Sequence, residues 1–237
     1  MTKLEFVGKC VFVEAKGKKI LVVGDLHLGY EEALNKAGIG VSRRLFGEMM
    51  DDFKEIFGKI GDVDEVVLLG DVKHVFGTVL GQEREDFRKL LEYLRERCRK
   101  VVIVQGNHDS IVGFLIRENT EVRDCYCFDG VCFLHGDKDF PEIHESNNDV
   151  WIIGHAHPAV ILNDGVKHEK YKCFLDGYFG GKRVVIVPSF VDHSPGVDAR
   201  SGDLGLAWDI DLRKFRVKAV GEKLEVFDFG ELGKIKE

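Results

Sequence analysis

Ile20-Leu21-Val22-Val23-Gly24-Asp25-Leu26-His27 is the stretch on which the fold turns. Four bulky apolar residues in a row make a strand with no polar face, so it is expected to be buried on both sides. The run stops at a glycine, and a carboxylate and an imidazole follow two positions apart. The pattern recurs. Residues 66–69 lead into Gly70-Asp71-Val72-Lys73-His74, residues 101–104 into Gly106-Asn107-His108-Asp109, and residues 150–153 into Gly154-His155-Ala156-His157. A fifth cluster, His135-Gly136-Asp137, follows residues 131–134. In open α/β sheets the ligand crevice lies beyond the carboxyl ends of the strands. The five clusters therefore fall where a site can be assembled.

Between these strands the periodicity changes. Residues 42–59 place Leu45, Met49, Phe53, Ile56 and Phe57 at near-helical spacing, with Ser42 as a cap. Residues 82–99 do the same through Phe87, Leu90, Leu91 and Leu94. Strand, helix, strand, helix, strand implies parallel strands joined by crossover helices. Upstream, residues 10–15 and 20–23 flank the polar turn Lys16-Gly17-Lys18-Lys19 as a hairpin. The second half is β-rich. Residues 125–128 and 131–134 flank an Asp129-Gly130 hairpin turn, and 150–153, 171–174, 183–187, 205–210 and 214–220 read as further strands.

The chain has 237 residues, 44% hydrophobic and 32% charged, which suits one well-buried domain over 1–237. Gln occurs only at Gln82 and Gln105 while Lys and Glu abound, a bias of heat-adapted proteins. A net charge of −7 argues against a large basic surface for gripping duplex nucleic acid, while a local basic patch stays open. The start of the sequence has no signal-peptide pattern and no apolar run approaches the ~20 residues of a membrane span, so the expected location is the cytoplasm, with no membrane partner. The six cysteines contain no Cys-x-x-Cys pair, which argues against a zinc ribbon. Cys125 and Cys127 share one face of a strand. The cysteines are expected to act as small buried apolar residues, with a structural disulfide as the alternative.

Taken together, the clusters offer carboxylates, imidazoles and an amide, and no thiol. That donor set suits Mn²⁺, Fe²⁺ or Zn²⁺. Singly, each motif is weak, because a strand-terminal Gly-Asp is usually a turn and a lone histidine usually has no ligand. Five in order, each after a β-rich run, point to a two-metal site assembled from these clusters.

In this order the motifs Asp-x-His, Gly-Asp-x-x-His, Gly-Asn-His-Asp, His-Gly and Gly-His-x-His resemble the calcineurin-like metallophosphoesterase superfamily over residues 25 to about 157. Within it the chain is most similar to the small prokaryotic ICC-like, SbcD-related phosphoesterases. The features that carry this are Asp25-Leu26-His27-Leu28-Gly29, His74 where many relatives have Asp, and Gly154-His155-Ala156-His157-Pro158-Ala159 with a late Pro188-Ser189-Phe190. The resemblance implies an α/β fold: a four-layer metallophosphoesterase-type β-sandwich of two mixed sheets flanked by helices. It implies that Asp25, His27 and His157 hold one metal, that Asn107, His135 and His155 hold the other, and that Asp71 bridges them. It also implies that His108 faces the substrate with Asp109 orienting its ring.

The activity expected is hydrolysis of phosphate esters by a metal-bridging hydroxide, with two divalent ions, manganese first and iron or zinc as alternatives. A phosphodiesterase with nuclease relatives is the leading reading, acting on a nucleotide or single-stranded nucleic acid. A phosphomonoesterase or small-nucleotide hydrolase is the alternative. A third reading, a metal-binding scaffold without catalysis, is disfavoured because His108 and all seven ligand positions are present. Arg43 or Arg44 could pair with a phosphate, and His74 could support a ligand or touch substrate. His144, His168 and His193 read as surface residues, His193 least clearly.

Overall fold

In the computed structural model, which describes residues 2–109, 120–163, 165, 167–201 and 203–235, each half of the chain builds a sheet. The first half begins as an antiparallel meander of β1 (Lys3–Val7), β2 (Cys10–Ala15) and β3 (Lys18–Val23). It continues through α1 (Tyr30–Lys36), α2 (Leu45–Ile60), β4 (Val63–Leu68), α3 (Gly81–Arg95), β5 (Cys98–Val104) and β6 (Thr120–Arg123). Strands β3, β4, β5 and β6 are parallel neighbours, as the alternation of strand and helix requires.

The second sheet contains β7 (Cys125–Phe128), β8 (Val131–Leu134), β9 (Val150–Ile153), β10 (Pro158–Asn163), β11 (His168–Phe179), β12 (Lys182–Ile186), β13 (Val197–Asp198), β14 (Arg216–Val220) and β15 (Val226–Glu231). Here β8, β9 and β12 run parallel and most other pairings are antiparallel.

The side-chain alternation sorts every central strand between two apolar layers. Leu21, Val23, Val66, Leu68, Val101 and Ile103 face α2 and α3. Their neighbours Ile20, Val22, Val67, Leu69, Val102 and Val104 meet Val131, Phe133, Ile152 and Val185 between the sheets. This is why the runs carry no polar alternation. Behind the second sheet, Cys132, Leu134, Trp151, Ile153 and Ile186 form a third cluster with Leu212 and Phe215. The architecture is the expected sandwich of two mixed sheets flanked by helices. Its back layer is made of short 3₁₀ turns at Pro141–His144, Ala199–Ser201, Leu212–Lys214 and Leu232–Lys234.

Several local expectations change. Ser42 is exposed and does not cap α2; the Glu31 carboxylate does, accepting from the backbone N–H of Arg44 at 2.6 Å and Leu45 at 3.1 Å. The helix expected over 82–99 ends at Arg95, and β5 already starts at Cys98. Residues 205–210 form no strand. Leu206, Trp208 and Ile210 pack on the back cluster, as their period of two implies, but the backbone joins no ladder, and Gly205 has a φ of 71°. Alternation reports which side is buried and not whether the backbone is paired.

Two of the six cysteines are not simple apolar fillers. Cys127 and Cys132 stand opposite each other across the β7–β8 hairpin and are joined in a disulfide, while Cys10, Cys98, Cys125 and Cys173 are free. Among the described residues, no helix is long and apolar enough to cross a membrane.

Candidate metal centre

The five clusters converge. The carbonyl of Asp71 accepts from the N–H of Leu26 at 3.2 Å and of His27 at 2.9 Å, which ties the end of β3 to the end of β4. Asp71 Oδ1 accepts from the backbone N–H of His108 at 3.0 Å, which adds the end of β5. Asp25 joins the two sheets: Oδ1 accepts from the backbone N–H of His155 at 3.1 Å, and Oδ2 lies 2.7 Å from His157 Nε2.

Such close convergence explains the glycines that open two of the clusters. A Cβ on Gly106 would lie 2.3 Å from Asp71 Oδ1, and one on Gly154 would lie 2.8 Å from Asp25 Oδ1. The chain also turns sharply at the donors themselves. His27 (φ 43°), Asp71 (φ 44°), His155 (φ 64°) and His157 (φ 43°) all have left-handed backbone conformations, which L-residues adopt at a cost.

Two groups of donors result. Asp25, His27 and His157 bring one atom each within 4.8 Å of one another, and Asp71, His135 and His155 do the same. A third group of the same kind joins His27, Asp71 and His108. Asn107 Oδ1 lies 3.0 Å from His135 Nε2, so the amide is at the second group. His135 Nδ1 donates to the carbonyl of Leu69 at 2.8 Å, which turns Nε2 inward to within 3.0 Å of His155 Nδ1 and 3.5 Å of Asp71 Oδ1. An imidazole anchored through one nitrogen, with the other aimed at a cluster of donors, is the geometry of a metal-ligating histidine.

The electrostatics are uneven across the site. Burial alone would raise the Asp25 carboxyl, but the hydrogen bond from His157 and the charges of His157 and His135 hold it well below the usual carboxylate range. Burial pushes Asp71 up to about 6, with His135 opposing and Asp25 reinforcing. Burial drives His27 down to about 3. His135 is also disfavoured by burial, yet Asp25 and Asp71 lift it above an ordinary histidine.

The donor set fits divalent metal. Asp25 is fully buried and Asp71 is 3% exposed, and among the described residues their ion-pair partners are all imidazoles, with no lysine or arginine. Buried carboxylates without a cationic partner are unfavourable. His27 Nδ1 is buried without a hydrogen-bond partner among the described residues. Both observations are met by cations of the kind that carboxylate and imidazole donors prefer.

The remaining candidates separate. His108 lies beside Asp71, with Nε2 at 3.7 Å from Oδ2. Its ring is not oriented by Asp109, contrary to expectation. His108 Nδ1 donates to the carbonyl of His74 at 2.6 Å. The Asp109 carboxylate instead accepts from the backbone N–H of Val72 at 3.0 Å, Lys73 at 3.3 Å and Gly106 at 3.1 Å, holding two strand ends together. Arg43 is engaged elsewhere as well, with its guanidinium on Asp86 and 3.6 Å from Glu85 of α3. Arg44 is exposed, and its backbone N–H serves the α2 cap.

His74 sits at the rim, its ring 5.6 Å from His27 and 4.9 Å from Tyr30. His193 is not a surface residue. It stacks on Tyr30 at 4.1 Å, and burial pushes it down to about 4. His144 and His168 are exposed, as expected. Sequence reasoning missed Tyr30 and Phe76, whose ring lies 3.6 Å from that of His108. Their proximity in sequence to Asp25-x-His27 and to His74 was the available signal.

Residues 18–129, which hold the first three clusters, match the family described as calcineurin-like phosphoesterase. No curated protein matches the chain. Among solved structures, nuclease MPE of Pseudomonas putida is similar over 93% of this chain and 100% of its own, at 16% identity and a TM-score of 0.58. Yfce, a phosphoesterase from E. coli, covers 90% of this chain and 98% of its own at 14% identity and a TM-score of 0.45. Vps29 from Entamoeba histolytica, complexed with Zn²⁺, covers 89% and 99% at 15% identity and a TM-score of 0.40.

Proposed function

We propose that this chain, a calcineurin-like phosphoesterase in its first half by sequence, is a dinuclear metal-dependent phosphodiesterase that works with manganese on nucleotide or single-stranded nucleic-acid substrates. The observation that carries the reading is the pair of buried carboxylates, Asp25 and Asp71, surrounded by imidazoles and without an amine or guanidinium partner among the described residues. A nucleic-acid substrate is in keeping with the nuclease whose fold this chain shares.

In this reading Asp25, His27 and His157 hold one ion, Asn107, His135 and His155 hold the other, and Asp71 stands between them. When bound, the two ions supply positive charge to a phosphoryl group and acidity to a nucleophilic water. The chain supplies the rest. Leu69 keeps the Nε2 lone pair of His135 turned inward, and the Ser194 hydroxyl lies 3.3 Å from His157 Nδ1, on the side away from Asp25. His108 keeps a proton on Nδ1, because its partner there is a carbonyl, so proton exchange with substrate falls to Nε2. That nitrogen points into the centre and is placed to protonate a leaving oxygen.

The test is a metal-supplemented screen on bis-p-nitrophenyl phosphate, p-nitrophenyl phosphate and single-stranded DNA, with His108→Ala alongside. Diester turnover should require Mn²⁺ or a related ion. His108→Ala should lose roughly 10²- to 10⁴-fold in turnover while binding metal as the wild type does. No hydrolysis with any metal, or a fully active His108→Ala, overturns the proposal. Turnover confined to the monoester would favour a phosphomonoesterase with the same site.

A further inference from the structure

Phe76 is 60% exposed, yet it does not sit on a loose surface loop. Residues 74–80 are anchored from below by two buried charges. Lys73, only 2% exposed, donates its ammonium to the carbonyls of Val75 and Thr78. Glu83, fully buried, accepts from the N–H of His74 at 3.0 Å and Val75 at 3.3 Å with one oxygen, and from Leu80 at 3.0 Å with the other. Burying an ammonium and a carboxylate is unfavourable unless their hydrogen bonds are met, and here they are met by the backbone of this one loop. The loop is thereby pre-shaped, and it holds Phe76 over the ring of His108 at 3.6 Å and a tilt of 32°.

The aromatic surface continues from there. His74 lies 6.1 Å from His108 with a 26° interplanar angle, Tyr30 lies 4.9 Å from His74, and His193 stacks on Tyr30. One side of the metal centre is therefore bordered by flat rings.

We propose that Phe76 is the stacking platform for the nucleobase of the leaving nucleoside. The inference rests on the reading of His108 as the proton donor: an ester oxygen that takes a proton from His108 Nε2 carries its substituent past Phe76. A planar base suits that place, because it can cover the exposed ring while its polar edges remain in water. Stacking is also the sequence-tolerant contact open to a chain of net charge −7, which lacks the charge to hold a phosphate backbone by lysines and arginines alone.

The test uses the full chain loaded with Mn²⁺ and two phosphodiesters that differ only in the leaving residue, one a nucleoside and one an abasic sugar. The wild type should prefer the nucleoside by about 5- to 100-fold in kcat/KM, the range expected for one stacked base. Phe76→Ala should abolish that preference by slowing the nucleoside substrate alone, Phe76→Trp should restore it, and Phe76→Leu should not. Equal losses on both substrates would make Phe76 a mere support for His108 and overturn the proposal, as would no loss on either. If the wild type cleaves neither diester, the phosphodiesterase reading fails. Phe76→Trp fluorescence then decides the stacking question. Quenching by a nucleoside monophosphate but not by a sugar phosphate supports the platform, and equal responses overturn it.

Discussion

Two regions of this sandwich handle buried charge in opposite ways. On the flank beside the β1–β2 turn, the Lys9 ammonium lies 2.6 Å from Asp52 and 2.8 Å from Asp192, so carboxylates from two distant segments are neutralised by a residue of the chain. At the ends of β3 and β4, Asp25 and Asp71 are more deeply buried, and only imidazoles stand against them among the described residues. The chain provides counter-charge where the charge is structural. Where it does not, the proposed metal ions would supply the balance. The centre should therefore respond to metal and the flank should not.

The largest effect expected is on the thermal stability of the centre. Metal at about 100 times its Kd should raise the Tm of the wild type by roughly 5–10 °C over chelated protein. Asp71→Asn should lose most of that gain. Without metal it should melt above the wild type at pH 8, because it removes a carboxylate whose ionisation the fold resists. A thermal scan with and without chelator reads both. Equal metal gains in the two proteins would detach Asp71 from metal binding.

On the flank, Lys9→Met should destabilise by about 1–2 kcal/mol, since it leaves a part-buried carboxylate unpaired. Denaturant titration should give the same loss with and without metal. A metal-dependent loss would end the contrast between the regions.

The third effect depends on pH and concerns Lys172, whose ammonium donates to the Ser189 carbonyl at 2.9 Å and to its hydroxyl at 2.5 Å. Burial, helped by the charge of Lys9, pushes this amine down from 10.5 to about 7. Between those values the unfolded chain binds the proton and the folded chain does not, so stability rises with pH across that window and the penalty is complete below it. Lys172→Met should therefore be more stable than the wild type at pH 6, with the gap closing as pH approaches 10.5. A gap that stays constant with pH would show that Lys172 is not charged at a cost.

Much of this molecule could be read from its residues because two physical constraints leave marks in sequence. Strands buried on both faces cannot alternate, so the runs ending at Val23, Leu69, Val104 and Ile153 are visible as runs. Backbone packed directly against a buried carboxylate cannot carry a Cβ, so Gly106 and Gly154 stand in front of their clusters.

What escaped depends on contacts between distant segments. Nothing local shows that Glu31 replaces Ser42 as the cap of α2, or that Asp109 turns to three backbone amides and leaves the His108 ring to the His74 carbonyl. Arg43 looked free because Asp86 lies 43 residues away. The Cys127–Cys132 pairing needed the register of the hairpin, and Phe76 was one of several apolar residues, with Val75, Val79 and Leu80, that follow no helix or strand period until its loop was placed.

The left-handed backbone at His27, Asp71, His155 and His157 has a consequence for how such a protein changes over generations. Glycine or asparagine would sit more comfortably at all four positions. Mutational drift thus has a downhill route out of the centre, along which the fold would grow sturdier as the donors disappeared. A descendant that no longer used the centre should erode at these four positions first and keep its sandwich intact.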